Sequence, residues 1–170
     1  MASQNNFLTK LFLKTTGFSY TNMARLFIRL FVGVMFMQFG IRHLVNFESL
    51  SDNFPALLGM TSQAALITMI VIELVCSLFI MAGFLTRLSV IPPALSMIVA
   101  EYYILHDLLP ADVSIYGLDS TDPGYLPIMF IGIYLFILLA GPGKISLDYF
   151  ISLYFISRDG IKEEEELEEV

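Results

Sequence analysis

The sequence is short of charge, of basic residues and of cysteine, and each shortage limits what the chain can be. Only 15% of its 170 residues are charged, against about a quarter in a typical soluble domain, so charged side chains cannot cover a water-exposed surface. Nine lysines plus arginines form no basic patch for nucleic acid. The single cysteine, Cys76, excludes an intrachain disulfide and a CxxC redox pair.

Several nucleotide-binding and hydrolytic motifs are also missing. The chain contains no GxGxxG, P-loop, HExxH or GxSxG pattern, so nicotinamide, nucleotide and hydrolase chemistry have no support. Its net charge of −7 is concentrated at one end, because six of the sixteen acidic residues are glutamates in the last eight positions. Such a run repels itself and predicts a solvated acidic tail over residues 160–170.

Hydrophobic residues, 56% of the chain, are gathered in four long blocks. A helix needs roughly 17–25 apolar residues to cross a hydrocarbon core of ~30 Å, and lipid offers no partners to the unpaired backbone of other structures. The blocks therefore predict an all-α integral membrane four-helix bundle within residues 25–141. The predicted spans are residues 25–45, 61–83, 88–109 and 125–140. Close helix contacts are predicted at Gly33, Gly40 and Gly132.

The positions of lysine and arginine predict the orientation. Eight of the nine lie on the side that holds both chain ends, and Arg42 alone lies on the other side. Because these residues stay in the cytoplasm, both termini and the turn at Arg87 are predicted to be cytoplasmic. Residues 1–24 are then a cytoplasmic or interfacial segment. Residues 142–159 are predicted to form a short interfacial helix with Ser146 as its N-cap.

Ionisable residues inside the apolar blocks are the first candidates for function, since a charge in hydrocarbon is costly. Glu73 lies near the middle of the second block, where a carboxylate must be protonated or paired. In a functional role, Glu73 handles protons or binds a polar headgroup. In a purely structural role, it is protonated and donates a hydrogen bond that holds two helices together. Arg29, one turn inside the first block, is a candidate partner for Glu73, and the alternative is that it snorkels to cytoplasmic headgroups.

A second polar group is predicted near the outer face, where the first and third blocks end. Its members are Gln38, Arg42 and His43 at the end of the first block, and Glu101, His106 and Asp107 at the end of the third. An imidazole, a guanidinium and a carboxylate at one depth can bind a quinone or lipid headgroup and supply a proton. A haem or metal site is less favoured because the spacing of the histidines matches no known ligand motif, and we predict no metal.

The candidate site residues fall into two classes. Glu73 and Glu101 are the candidate catalytic residues, because a buried carboxylate can relay protons. The candidate ligand-binding residues are Arg29, Gln38, Arg42, His43 and His106.

Three segments together resemble the DoxX family of small four-helix bacterial membrane proteins. RLFIRLFVGVMFMQFGIRHL is similar to the family's opening pattern of an arginine, two glycines and a basic residue. IELVCSLFIMAGFLTRL resembles its intramembrane glutamate followed by small residues and Thr-Arg, and GPGKISLD resembles its closing signature. The resemblance covers about residues 25–148. The family positions that it reaches are Arg29, Glu73, Arg87, Gly141, Pro142, Gly143, Ser146 and Asp148.

The resemblance implies a multi-pass protein of the bacterial inner membrane with a redox connection. The family is named for a subunit associated with quinone-linked thiosulfate oxidation, and other members are tied to oxidative-stress complexes. The chain is then expected to be a membrane subunit of a quinone-linked redox or oxidative-stress system, either non-catalytic or quinone-binding, with quinone as the candidate cofactor. The alternative is a non-catalytic scaffold, assembly or lipid-handling protein.

The expected partners are the lipid bilayer and a redox or surface protein, with homo-oligomerisation left open. A small transporter is a third interpretation. It would require the four helices to dimerise around a path, and the sequence contains no visible inverted repeat.

Overall fold

A computed structural model describes residues 20–56, 59–105 and 125–159. Within these ranges every regular element is helical and no strand occurs, so the all-α prediction is confirmed. The helices are α1 (Thr21–Val45), α2 (Phe47–Leu50), α3 (Ser62–Ala82), α4 (Thr86–Val99), α5 (Tyr125–Ala140) and α6 (Leu147–Asp159). A π-helical segment, Ala100–Leu105, continues α4 without a break.

The helices coincide with the apolar blocks. Two of them, α1 and α3, are long and apolar enough to cross a membrane, judged by length and composition. The shorter α5 has 16 residues, just under the roughly 17–25 of a typical span. The predicted limits agree with the observed ones to within four residues, and the predicted end of the third block at residue 109 lies outside the described residues.

The core lies where α1, α3, α4 and α5 meet. Phe36 of α1 is its centre, with ring centroids 5.6 Å from Phe130 and 5.7 Å from Tyr134 of α5. The remaining members of the buried cluster are Val32, Ile80, Val90 and Ile137. The outward faces expose large apolar side chains such as Phe27 and Leu139, which is the pattern expected of helices surrounded by lipid rather than water.

Two helices contain π turns, in which the backbone bonds to the residue five positions back. In α3 the π turn is Ile72–Cys76, and the second π segment is Ala100–Leu105. Each carries a buried acid, since Glu73 is 2% exposed and Glu101 is 0% exposed. A π turn holds more residues than an α turn, so it rotates the side chains that follow it relative to a regular 3.6-residue period.

Glycines allow α1 and α3 to approach closely. A β-carbon at Gly33 would collide with the Met81 side chain, and one at Gly40 would lie 2.8 Å from Leu74 Cδ2 and 2.9 Å from Glu73 Cβ. The predicted close contacts at these two glycines are confirmed. The prediction for Gly132 is wrong, because no neighbouring atom lies within 4 Å of a β-carbon added there.

This difference predicts opposite effects for two glycine-to-alanine substitutions. We expect Gly40→Ala to separate α1 from α3 and to destabilise the protein by about 1–3 kcal/mol through overpacking. Gly132→Ala, on an open helix face, should stabilise it by up to about 1 kcal/mol. Thermal unfolding of the detergent-purified variants measures both effects, and equal midpoints would contradict the close approach at Gly40.

Candidate functional site

A cavity of about 530 Å³ lies between α1, α3, α4 and α5, at the end of the bundle where α1 terminates. Its volume falls within the ~300–1,000 Å³ typical of small-molecule sites. The rings of Phe39, Phe54 and Phe130 contribute to its apolar wall. Among the described residues, its polar lining side chains are His43, Thr68, Glu73 and Ser96.

His43 and Glu73 form a hydrogen-bonded acid–base pair in the wall of this cavity. The Nδ1 atom of His43 lies 2.7 Å from Oε2 of Glu73, a distance typical of a charge-assisted hydrogen bond. Glu73 is almost completely buried, whereas 25% of the His43 side chain is exposed. Because Nδ1 is engaged with the carboxylate, Nε2 is the nitrogen that can bind a ligand.

Local structure explains why these two residues meet. Gly40 and His43 are three residues apart on α1 and therefore share a helix face. The missing side chain of Gly40 brings the backbone of α3 close, which allows Glu73 to reach the next turn of α1. Phe54 packs edge-on against the imidazole, with ring centroids 5.6 Å apart. The pair thus has a fixed orientation, with Glu73 behind His43.

Sequence reasoning did not identify Tyr134 as a polar residue of this region. It is 0% exposed in the middle of α5, and its hydroxyl has no hydrogen-bond partner among the described residues. The same is true of the Ser77 hydroxyl, one π turn after Glu73. The available signal was a tyrosine at the centre of the fourth apolar block, where a hydroxyl is costly without a partner.

At the opposite end of the bundle, Asp148 joins three helices. Its backbone N–H donates to the Gly83 carbonyl at 2.9 Å. Its carboxylate accepts from the Leu85 N–H at 2.6 Å, the Thr86 N–H at 2.8 Å and the Thr86 hydroxyl at 2.9 Å. The aspartate therefore caps the N-terminus of α4 from another helix, where a negative charge is favourable.

Arg29 belongs to the same assembly. It is 1% exposed, its guanidinium donates to the Ile145 carbonyl, and its Nε donates to the Arg25 carbonyl at 3.4 Å. The Asp148 carboxylate is close enough to attract it electrostatically. We call the set of Arg29, Gly83, Thr86, Ser146 and Asp148 the Asp148 clamp.

The depth of the clamp explains why Arg29 does not pair with Glu73. The guanidinium of Arg29 lies at the level of Gly83, since a β-carbon on that glycine would collide with it. Gly83 follows Glu73 by ten residues, which corresponds to about 15 Å along a helix. The predicted Arg29–Glu73 pair is therefore not found. Glu73 is hydrogen-bonded to His43 instead, and Arg29 belongs to the Asp148 clamp.

Residues 24–107 match the model of the DoxX family. This match supports assignment of the chain to the DoxX family. The matched range contains His43, Glu73 and the clamp residues Arg29, Gly83 and Thr86. No curated protein and no solved structure matches the chain. The resemblance of GPGKISLD to the DoxX signature lies beyond the matched range and stays a prediction.

The residues of that last segment have structural positions. Gly141 and Gly143 have φ values of 71° and 78° and turn the chain after α5, and Pro142 between them is buried. Ser146 accepts from the Tyr149 N–H at 3.2 Å, so the predicted N-cap is confirmed. Arg87 is exposed near the start of α4. Of the carried-over DoxX residues, Glu73 lines the cavity and the others do not.

The structure brings together only part of the predicted outer group. Gln38 and Arg42 are exposed and do not line the cavity. Glu101 is fully buried but also lies outside the cavity wall, and His106 and Asp107 fall outside the described residues. Within the described ranges, no group of three or more His, Cys, Asp or Glu side chains is placed to hold a metal ion.

Proposed function

We propose that this DoxX protein is a multi-pass protein of the bacterial inner membrane that binds a quinone at the His43–Glu73 pair. It would act as the membrane subunit of a quinone-linked redox or oxidative-stress system. The observation that carries the proposal is a buried acid–base pair in the wall of an otherwise apolar cavity. Such a combination suits a flat apolar ring whose carbonyl oxygens need a hydrogen-bond donor and a proton.

The proposed topology has α1, α3, α4 with its π continuation, and α5 crossing the bilayer, with both termini in the cytoplasm. The length and composition of α1 and α3 support it, as do the exposed apolar faces. The distribution of eight of the nine lysines and arginines supports the orientation. In this arrangement the cavity lies in the outer half of the membrane and the Asp148 clamp lies at the cytoplasmic surface.

The chain's own residues have defined tasks at the cavity. His43 Nε2 donates a hydrogen bond to a carbonyl oxygen of the ring, and the imidazole can pass on a proton that Glu73 replenishes through Nδ1. The phenylalanine rings exclude water from the ring faces. A bound quinone supplies two-electron redox chemistry, with electrons from a partner oxidoreductase. Leu95 and Leu126 line the cavity yet are 54% and 44% exposed, which favours entry from the lipid side.

The test is direct measurement of quinone in the purified protein. Solvent extraction of detergent-purified protein should release quinone, and added short-chain ubiquinone or menaquinone should bind. We expect Glu73→Gln and His43→Gln to weaken binding about 10–100-fold, the effect of losing a hydrogen bond to a charged group. Arg42→Gln and Glu48→Gln, which alter exposed residues, are the matched controls. Absence of quinone, or equal affinity in all four variants, would contradict the proposal.

The second candidate is a non-catalytic scaffold, assembly or lipid-handling protein. The observation that favours it is the small number of polar side chains in the cavity wall, because an acyl chain would fit such a lining as well as a ring. The same extraction separates the two candidates. Phospholipid in place of quinone indicates lipid handling, and one stoichiometric co-purified protein indicates a scaffold for a redox or surface partner.

A further inference from the structure

A second, smaller cavity lies beside the Asp148 clamp, between the start of α1 and the start of α6. Its volume is about 150 Å³, which would hold about five waters at ~30 Å³ each. Arg25, Lys144, Asn22 and Tyr149 contribute polar side chains to its wall. Unlike the outer cavity, it therefore has a guanidinium and an ammonium group in its wall.

Arg25 is the residue that points to a ligand. Its Nε is buried and has no hydrogen-bond partner among the described residues. The stem of the side chain lies against Gly143, where an added β-carbon would be 3.1 Å from Arg25 Cδ. A guanidinium that is held beside a cavity, with one N–H that has no partner among the described residues, is suited to an oxyanion, which can accept from several of its donors at once.

The neighbouring groups provide further donors. Asn22 accepts from the Lys144 N–H at 3.0 Å through its Oδ1, so the N–H donors of its amide remain available to a ligand. Lys144 adds an exposed ammonium group to the rim, and the Tyr149 phenol adds a hydroxyl. These groups together match the oxygen acceptors of a phosphate.

One acid also lines this cavity, and its charge is already engaged. Asp148 binds the two N–H groups and the hydroxyl at the start of α4, and it lies near the Arg29 guanidinium. The lining residues Arg25 and Lys144 consequently outnumber the carboxylate. An anion is favoured over a cation at this position.

The surroundings indicate where such a phosphate would come from. The exposed apolar residues of α6 recur at helical spacing and form one stripe. They are Leu147, Phe150, Ile151, Tyr154 and Phe155. A stripe of this kind places a helix in the interface of a bilayer, and basic pockets between helices on the cytoplasmic side are typical sites for anionic headgroups.

We propose that the cavity lined by Arg25, Lys144, Asn22 and Tyr149 binds a phosphate group, supplied by the headgroup of an anionic phospholipid. Arg25 and Lys144 hold the phosphate oxygens, and the aromatic stripe of α6 lies among the acyl chains beside it. The site stands apart from the outer cavity and does not depend on quinone binding there.

Native mass spectrometry of the detergent-purified protein tests the proposal. The probe is an equimolar mixture of palmitoyl-oleoyl phosphatidylglycerol and phosphatidylcholine, which differ only in the headgroup. The wild type should retain one phosphatidylglycerol in preference. Arg25→Gln with Lys144→Gln should reduce that preference about 30-fold, and each single substitution about fivefold, from ~1 kcal/mol per basic residue at the membrane surface.

Two control variants separate a built site from general surface charge. Arg87→Gln removes one exposed charge from the same end of the bundle and should leave the preference unchanged. Arg25→Lys with Lys144→Arg should largely retain it. If the double variant is misfolded, as judged by an elution volume or melting temperature that differs from the wild type, the two single variants are compared with the wild type instead. The proposal would be overturned if Arg87→Gln reduced the phosphatidylglycerol preference as much as the Arg25 and Lys144 substitutions do. It would also be overturned if the wild type showed no such preference and added inorganic phosphate did not change its melting temperature.

Inorganic phosphate distinguishes the two sources of the anion. If millimolar phosphate raises the melting temperature of the wild type but not of the double variant, and phosphatidylglycerol shows no preference, then the site binds free phosphate. A phosphatidylglycerol preference that millimolar phosphate does not abolish assigns the site to the lipid.

Discussion

Replacing Asp148 with alanine should destabilise the detergent-purified protein by about 3 kcal/mol, a fall of roughly 6–12 °C in Tm for a chain of this size. The loss of a helix cap costs about 1 kcal/mol. The remainder comes from the guanidinium of Arg29, which is 1% exposed and would lose the electrostatic attraction of the Asp148 carboxylate in a buried setting. Circular dichroism at the helix minimum, followed on heating, measures the change.

A graded series tests whether the clamp is responsible. Thr86→Val removes one of the carboxylate's three donors and should cost about 1 kcal/mol. Asp148→Asn keeps one acceptor oxygen and should fall between the two. Asp52→Asn, which removes an exposed carboxylate, should be neutral. If Asp148→Ala has the same melting temperature as Asp52→Asn, then Asp148 does not hold the helices together.

The helices were predictable because the physics that selects them acts locally. A block of apolar residues interrupted by polar turns has one stable form in lipid, and the limits of α5 coincide with the predicted ones at both ends. Its end is set by Gly141, whose φ of 71° a helix cannot continue through. The cap at Ser146 was predictable for the same reason, since its bond reaches only to Tyr149.

The pairing of Glu73 was not predictable, because it depends on the relative heights of two helices. No sequence pattern predicts that offset or the π turn in which Glu73 lies. The start of α1 at Thr21 puts Arg29 two turns inside the helix, level with the end of α3 rather than with its middle. His43 shares the stripe of Arg29 at a spacing of fourteen residues, which was the one available signal.

The clamp lies beyond sequence reasoning for a different reason. The hydrogen bonds of the Asp148 carboxylate join residues 62 and 63 positions apart, and this acceptor side chain binds backbone N–H groups. Every residue except proline has such a group, so no pattern of side chains marks the donor. The GPGKISLD segment indicated where the fourth apolar block ends, but only the packing of α1, α4 and α6 shows what Asp148 does.

The second large effect is expected at Gly83, where the clamp leaves no room for a side chain. A β-carbon there would lie 2.6 Å from Ser146 Cβ and would collide with the Arg29 guanidinium. The φ of Gly83 is also 70°, a conformation that costs an alanine about 1–2 kcal/mol. With about 1–3 kcal/mol more from overpacking, Gly83→Ala should lower the stability by about 2–5 kcal/mol.

Gly59 is the matched control, since its φ is 78° and nothing lies within 4 Å of an added β-carbon. Gly59→Ala should show the backbone cost alone, and the difference between the two variants is the steric effect of the clamp. Because Gly83→Ala and Asp148→Ala both displace Arg29, their combined effect should be smaller than the sum. If the stability losses of Gly83→Ala and Asp148→Ala were strictly additive, or if Gly83→Ala and Gly59→Ala had equal melting temperatures, then Arg29, Gly83 and Asp148 would not act as one unit.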